Sequence, residues 1–356
     1  MPRFPLDPSS PATDARAAFA DALQRMDKTR AIMIVGHFDA DGLAATAILA
    51  RSLSAAGRLH TIRIVGKGEN PWDASFGQEI AARAPGGLIV TDLGVRAPEI
   101  ADGVPTILID HHVPTGEPAD TITVSGNGLT PEPTSALLAW WCAGALGNAD
   151  EWLWLAALGL IGDMAPEDAF PELAVAQARW GKTALRNAVS LINAPRRTAA
   201  ADAGPALTLL LKADGPKDIL SARYAETQVL LDAKAEVKAE LDAAKRTPPQ
   251  VAGDVALIRF SSPCQIHPLV AQQWRGRLRD KIVLAANTGY RPGWVHFAAR
   301  SASGRDLIAF LAEHRPAGAD AHYGNGHAQA TGGALRPGDW NAFVRTLGFP
   351  QAQVPA

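Results

Sequence analysis

The sequence predicts an α/β protein: an N-terminal domain on a parallel sheet with flanking helices, a connector helix, and a smaller C-terminal α/β domain. Three observations carry this. The chain has 356 residues, more than a single core of about 250–300 residues organises well. Apolar runs AIMIV, TIRIV, GLIV and TILI recur up to residue 109, separated by helical or Gly/Pro-marked stretches, the alternation that builds βαβ units around a buried parallel sheet. A charged helical segment from Ala222 to Arg246, with Leu230, Val237 and Leu241 on one stripe, then separates these runs from a second strand-rich region.

Residues 13–28 read as an Ala-rich amphipathic helix, and the four apolar runs follow as strands. SALLAWWCAGAL and EWLWLAALGLIG read as helices whose Trp side chains lie on faces so apolar that they belong to a core. Residues 172–213 read as all-helical. Beyond the charged helix, VALIRF, KIVLAA and WVHFAA read as strands and GRDLIAFLAEH as a helix. The Gly-rich HYGNGHAQATGGAL reads as a turn that offers exposed backbone N–H groups and a helix N-terminus. The expected boundaries are 1–215 for the first domain, 216–249 for the connector and 250–356 for the second domain.

Lys and Arg number 34 against 36 Asp and Glu, a net charge of −2. This excludes a global electrostatic grip on long duplex DNA, so an anionic substrate must be held locally. Two cysteines, Cys142 and Cys264, give no disulfide framework and fit a reducing compartment. The N-terminal stretch lacks the apolar core of a secretory signal, and the longest apolar runs are about half of what a bilayer requires. A cytoplasmic protein that does not enter the membrane is expected.

The chemistry gathers where apolar segments stop. In open α/β sheets, ligands bind beyond the carboxyl ends of the strands. His37, Asp39 and Asp41 follow the first run, Asp92 follows GLIVT, Asp110, His111 and His112 follow TILI, and Asp163 closes the apolar ALGLIG. A buried carboxylate is costly unless paired or coordinated, so this repetition makes sense if the groups converge. Their oxygens and imidazole nitrogens, with no thiolate, suit divalent Mn2+ or Mg2+ rather than a tetrahedral thiolate zinc site. In extended backbone Asp39 and Asp41 would point the same way, one toward each of two ions.

HFDADG, VTDLG, IDHH and LGLIGDMAP, in this order, resemble the four motifs of the DHH phosphoesterase superfamily, closest to its RecJ-like branch. ARSASGRDL and GNGHAQATGG are similar to the associated DHHA1 domain, and the resemblance spans roughly residues 30–336. It implies one metal held by His37, Asp39 and Asp92, and a second by Asp41, Asp92, His111 and Asp163, with Asp92 shared. Asp110 would orient a histidine, and His112 would contact the scissile phosphate or the leaving oxygen. Arg300 and the Gly324, Asn325, Gly326 and His327 segment would bind a substrate phosphate. Asn325 stands where relatives more commonly carry glycine. His267 in CQIHPLV and the basic run WRGRLRDK, with Arg275, Arg277 and Arg279, are secondary candidates for contact with a nucleic-acid strand.

The implied activity is hydrolysis of phosphodiesters by water activated between two metals. The substrate would be a short single-stranded oligonucleotide trimmed to mononucleotides, since the reading leaves no room after residue 347 for the OB-fold that grips longer strands in RecJ proteins. The alternatives are a phosphodiesterase for cyclic or linear dinucleotides, a phosphatase for 3′-phosphoadenosine 5′-phosphate, and a silent replication scaffold. A homodimer is among the arrangements implied by relatives of this size.

Overall fold

The computed structural model describes residues 6–319 and 323–355. The chain divides into two compact units: residues through Arg196 with Ala201–Leu231, and Arg197–Ala200 with the residues from Asp232 onward.

The first unit runs α1 (Pro11–Arg25), β1 (Ile32–Gly36), α2 (Ala40–Ala55), β2 (His60–Ile64), α3 (Ala74–Ala82), β3 (Gly87–Thr91), β4 (Thr106–Asp110) and β5 (Ile122–Ser125). The strands form one parallel sheet in the order β2-β1-β3-β4-β5. The four runs read from the sequence are β1 to β4. The edge strand β5, four residues of alternating burial, is too short and too weakly apolar to stand out. Helices α4 (Ser135–Ala143), α5 (Leu153–Gly162), α6 (Pro171–Trp180), α7 (Lys182–Ile192), α8 (Gly204–Lys212) and α9 (Pro216–Ile219) complete the unit.

Both faces of the sheet are covered, which is why β1 and β3 are apolar throughout. Ile32, Ile34, Ile89, Ile107 and Ile109 enter a core with α1, α2, α4 and α5. Met33, Val35, Leu88, Val90 and Leu108 pack on the other face against Phe76 and Ile80 of α3. Full burial of such side chains contributes about 1.5–3 kcal/mol each. Trp141, Trp152 and Trp154 are buried in the first core. Every residue of α2 from Ala40 to Ala50 is buried. Gly36 allows α2 its close approach, because a Cβ there would lie 2.0 Å from Thr46 Oγ1.

The chain leaves β1 for β2 on one side and reaches β3 on the other. The strand order therefore reverses between β1 and β3, and such a switch point opens a crevice at the carboxyl ends of the strands.

The division between units falls inside α10 (Ala225–Ala244). Of its apolar stripe, Leu230 packs in the core of the first unit and Val237 in that of the second. The second unit continues with β6 (Gln250–Ala252), β7 (Val255–Phe260), α11 (His267–Arg277), β8 (Ile282–Asn287), β9 (Val295–Ser301), α12 (Leu307–Glu313), β10 (Asn325–His327), β11 (Ala330–Leu335) and α13 (Pro337–Thr346). Its mixed sheet has the order β10-β11-β9-β8-β7-β6, with only β7 and β8 parallel. The Gly-rich segment differs from expectation. It is the β10–β11 hairpin, and α13 starts only at Pro337, so no helix N-terminus lies within it. Small residues serve strand packing there: a Cβ on Gly332 would stand 2.4 Å from the Phe297 carbonyl oxygen. Among the described residues no helix is long and apolar enough to cross a membrane.

Candidate metal centre

Three neighbouring strands deliver the chemical groups to the switch point. His37 follows β1, and its amide donates to the Thr91 carbonyl at 3.3 Å. Asp39 caps α2, accepting from the Gly42 amide at 3.1 Å. A Cβ at Gly42 would sit 2.6 Å from His37 Cβ, so glycine lets the helix begin this close to the strand end. Asp41 lies in the first turn of α2. Asp39 is extended but the chain turns helical at Ala40, so Asp39 and Asp41 do not point the same way. Asp39 turns to His37 and Arg196, whereas Asp41 accepts from the Ser135 and Ala136 amides at 2.8 and 2.9 Å, at the start of α4. A Cβ on Gly159 of α5 would fall 2.1 Å from Asp41 Oδ1. That glycine is the space the carboxylate occupies.

Asp92, just past β3, has φ +63°, a left-handed backbone that side chains other than Gly, Asn and Asp rarely adopt. It is buried, and its Oδ1 accepts from Ser135 Oγ at 3.0 Å. His37 Nδ1 lies 3.2 Å from Asp39 and 3.3 Å from Asp92. His111 Nε2 lies 3.3 Å from Asp163, 3.7 Å from Asp92 and 3.9 Å from Asp41. His112 Nδ1 lies 3.0 Å from Asp110 Oδ1, and Asp110 also accepts from the Gly94 and His112 amides, each at 2.7 Å. Three groups result: His37, Asp39 and Asp92; Asp41, His111 and Asp163; and Asp92, His111 and His112. In each, one ligand atom per residue lies within 4.8 Å of the others.

The electrostatics are unbalanced. Burial and then the neighbouring Asp163 push Asp41 up to about 7. Burial, followed by Asp41, Asp39, Asp110 and Asp163, raises Asp92 well above the ordinary carboxylate range. Burial works against the charged form of His111, yet Asp163, Asp41 and Asp92 outweigh it and lift the imidazole to about 10. For Asp39 burial is likewise outweighed, here by His37 and Arg196, and the carboxyl falls well below its usual value. Among the described residues the buried His37 Nδ1 and His111 Nε2 have no hydrogen-bond partner, although both lie against carboxylates. Crowded carboxylates and unpartnered ring nitrogens with no thiolate fit hard divalent cations.

Residues 31–143 match the model of the DHH family, N-terminal domain. This segment is a DHH-family N-terminal domain. Among solved structures, RecJ from Thermus thermophilus in complex with Mn2+ is similar at TM-score 0.71 and 23% identity, over 99% of this chain and 55% of that one. This chain thus spans little more than half of that RecJ. An exonuclease RecJ bound to manganese matches at TM-score 0.64 and 23% identity, over 96% of this chain and 95% of that one. An exopolyphosphatase-related protein from Bacteroides fragilis matches at TM-score 0.52 and 13% identity, over 95% of this chain and 97% of that one. At these identities the likeness is one of fold. None of the curated proteins matches this sequence.

In the first unit, then, all eight acidic and imidazole groups singled out from the sequence meet at the carboxyl ends of the inner strands. Four further residues there escaped sequence reading. Arg196 sets a guanidinium nitrogen 3.4 Å from Asp39. Glu132 lies 3.5 Å from His111 Nδ1, Ser135 holds Asp92, and Asn193 Oδ1 accepts from the Ala40 amide at 3.0 Å. None stands at a strand end, and each meets a partner far away in the chain; only the motif NAPRR, polar and basic after an apolar helix, hinted at Arg196.

In the second unit Arg300 is half-buried on β9 and donates to the Ala299 and Thr331 carbonyls at 2.8 and 3.1 Å, so part of its fork already ties β9 to β11. Register places Arg300 beside Ala330, and Ala330 beside His327. Gly324, with φ +81°, leads into β10. The side chains of Asn325 and His327 lie outside the described ones. His267 is buried against Tyr290 and His296, and burial, then His296, holds its pKa well below the ordinary histidine value.

Proposed function

We propose that this chain is a metal-dependent phosphodiesterase that removes mononucleotides from short single-stranded nucleic acid. The observation that carries the reading is the convergence, at a switch point, of buried carboxylates and unpartnered imidazole nitrogens whose charges do not balance. A structural cluster would be neutralised by its own residues; this one calls for cations from outside. On this reading His37, Asp39 and Asp92 hold one divalent ion and Asp41, His111 and Asp163 a second, with Asp92 shared, and Mn2+ is the preferred ion. Bound there, the ions would supply Lewis acidity for water activation and offset charge on the reacting phosphate.

The protein's own groups do the rest. The Ser135 and Ala136 amides and the Ser135 hydroxyl fix Asp41 and Asp92, so ligand geometry is set before metal arrives. Glu132 faces the ring nitrogen of His111 that looks away from the cluster and selects its tautomer. Asp110 holds the half-exposed His112 and raises its pKa through their hydrogen bond, then through its charge. A protonated His112 is suited to donate to the departing oxygen. Arg300 and the β10–β11 hairpin are assigned to a phosphate of the strand.

The test is digestion of an end-labelled oligonucleotide of about seven residues with Mn2+, alongside cyclic and linear dinucleotides. Stepwise mononucleotides are expected. A dinucleotide opened or split while longer strands stay intact would move the assignment to a dinucleotide phosphodiesterase. No cleavage of any phosphodiester would point to a silent scaffold.

A further inference from the structure

Next to the cluster stands a residue whose backbone and side chain are both anomalous. Helix α5 ends in a Schellman motif: the Met164 amide donates to the Ile161 carbonyl at 3.2 Å and the Ala165 amide to the Leu160 carbonyl at 2.9 Å. The motif puts Met164 in the left-handed region, at φ +59°, where glycine is the usual occupant because any Cβ is strained. Methionine is therefore a destabilising choice at this position. Its side chain gains nothing in return from the fold, since the residue is 85% exposed. Isolated exposed apolar residues are ordinary, but this one directly follows Asp163. A second, Val113, is 74% exposed and directly follows His112. Asp163 and His112 both flank His111, at 3.3 Å from its Nε2 and at 4.6 Å between ring centroids.

We propose that Met164, assisted by Val113, is a specificity-determining residue that seats the base of the nucleotide whose phosphate lies at the metal centre. The inference rests on the phosphodiesterase reading above and names what that site selects. A thioether is polarisable and conforms to the flat face or edge of an aromatic ring, and an apolar contact of this kind is sequence-tolerant because every base has a π-face. A strained, solvated methionine is then explained: it is covered when substrate arrives.

The experiment compares wild type with Met164→Gly and Val113→Ser in the presence of Mn2+. Glycine suits the backbone at position 164, so M164G folds with unchanged or higher thermal stability. Binding of adenosine 5′-monophosphate and of ribose 5-phosphate, the same anion without a base, is measured by calorimetry. Wild type is expected to prefer the nucleotide by about tenfold; M164G should reduce that ratio to within about twofold with ribose 5-phosphate affinity unchanged, and V113S should reduce it partway. An equal ratio in wild type and M164G, equal weakening of both ligands, or no discrimination by wild type overturns the proposal. Binding does not depend on turnover. Base discrimination lost in M164G by a protein that cleaves nothing would overturn the phosphodiesterase reading alone, and cleavage with unaltered discrimination would overturn this proposal alone.

Discussion

Two charged clusters on the same sheet obey opposite logic. At β2, Arg63 forks onto Glu69 at 2.7 and 2.9 Å and onto Glu79 at 2.9 and 3.1 Å, and Arg83 joins Glu79 at 2.9 Å. Arg63, Glu69 and Glu79 are each stabilised in the charged form: hydrogen bonds from Arg63 lower both glutamates, and Glu69 and Glu79 raise Arg63. At the ends of β1, β3 and β4 the reverse holds for two carboxylates, Asp41 and Asp92, which are driven toward their neutral forms. For these two carboxylates the sign of the shift is opposite to that at Glu69 and Glu79. A network whose guanidinium and carboxylates favour their ionised states is complete; a cluster in which two crowded carboxylates disfavour theirs, while Asp39 and His111 favour the charged form, awaits a counter-charge at those two.

This contrast can be broken at several points. The largest effect is expected from Asp92→Asn, which keeps the acceptor for Ser135 and removes one of the crowded charges. Hydrolysis with Mn2+ should drop roughly a thousandfold, the loss of several kcal/mol of charge stabilisation, while thermal denaturation in chelator should show a more stable protein than wild type. Retained activity above about a tenth would remove Asp92 from the centre. Next, Mn2+ at about a hundred times its Kd should raise the wild-type melting temperature by several degrees, corresponding to about 2.7 kcal/mol. D92N should lose most of that rise, and E79Q none of it.

Gly159→Ala forces a methyl against Asp41 Oδ1 and the Ala136 methyl, so overpacking should cost about 2 kcal/mol and weaken the Mn2+-induced shift. A melting curve and metal response like those of wild type would show that the carboxylate can move aside. The smallest effect belongs to Glu79→Gln, under about 1 kcal/mol, because the network is partly solvated. Its sign is set by linkage. The folded protein depresses Glu79, so the contribution is present at neutral pH and lost as pH falls through the folded-state value. The difference between wild type and E79Q in thermal melts should therefore shrink on acidification; a constant difference would mean that Glu79 acts by packing alone.

The chain spells out β1, β3 and β4 because strands buried on both faces are largely apolar, while the edge strand β2 shows only through its alternation, and it spells out the centre because polar groups that end such strands have no packing rationale. What it hides follows from the same physics. β5 is an edge strand with half its side chains in partial contact with solvent, so periodicity is faint. The hairpin β10–β11 is glycine-rich for strand contact, yet composition alone suggests a turn. Arg196, Glu132 and Asn193 reach the site only through the folding of distant helices and loops, and the helical turn that separates Asp39 from Asp41 overrides the alternation that extended backbone would give.

The burial of α2 along its first eleven residues has a bearing on how such a centre can be altered. With no open side into which to yield, this rod hands any enlargement at Ala44, Ala45 or Ala47 to its tip, where two of the acidic groups are mounted. If the proposed ions bind there, interior alanines remote from them would become tuning positions for their affinity.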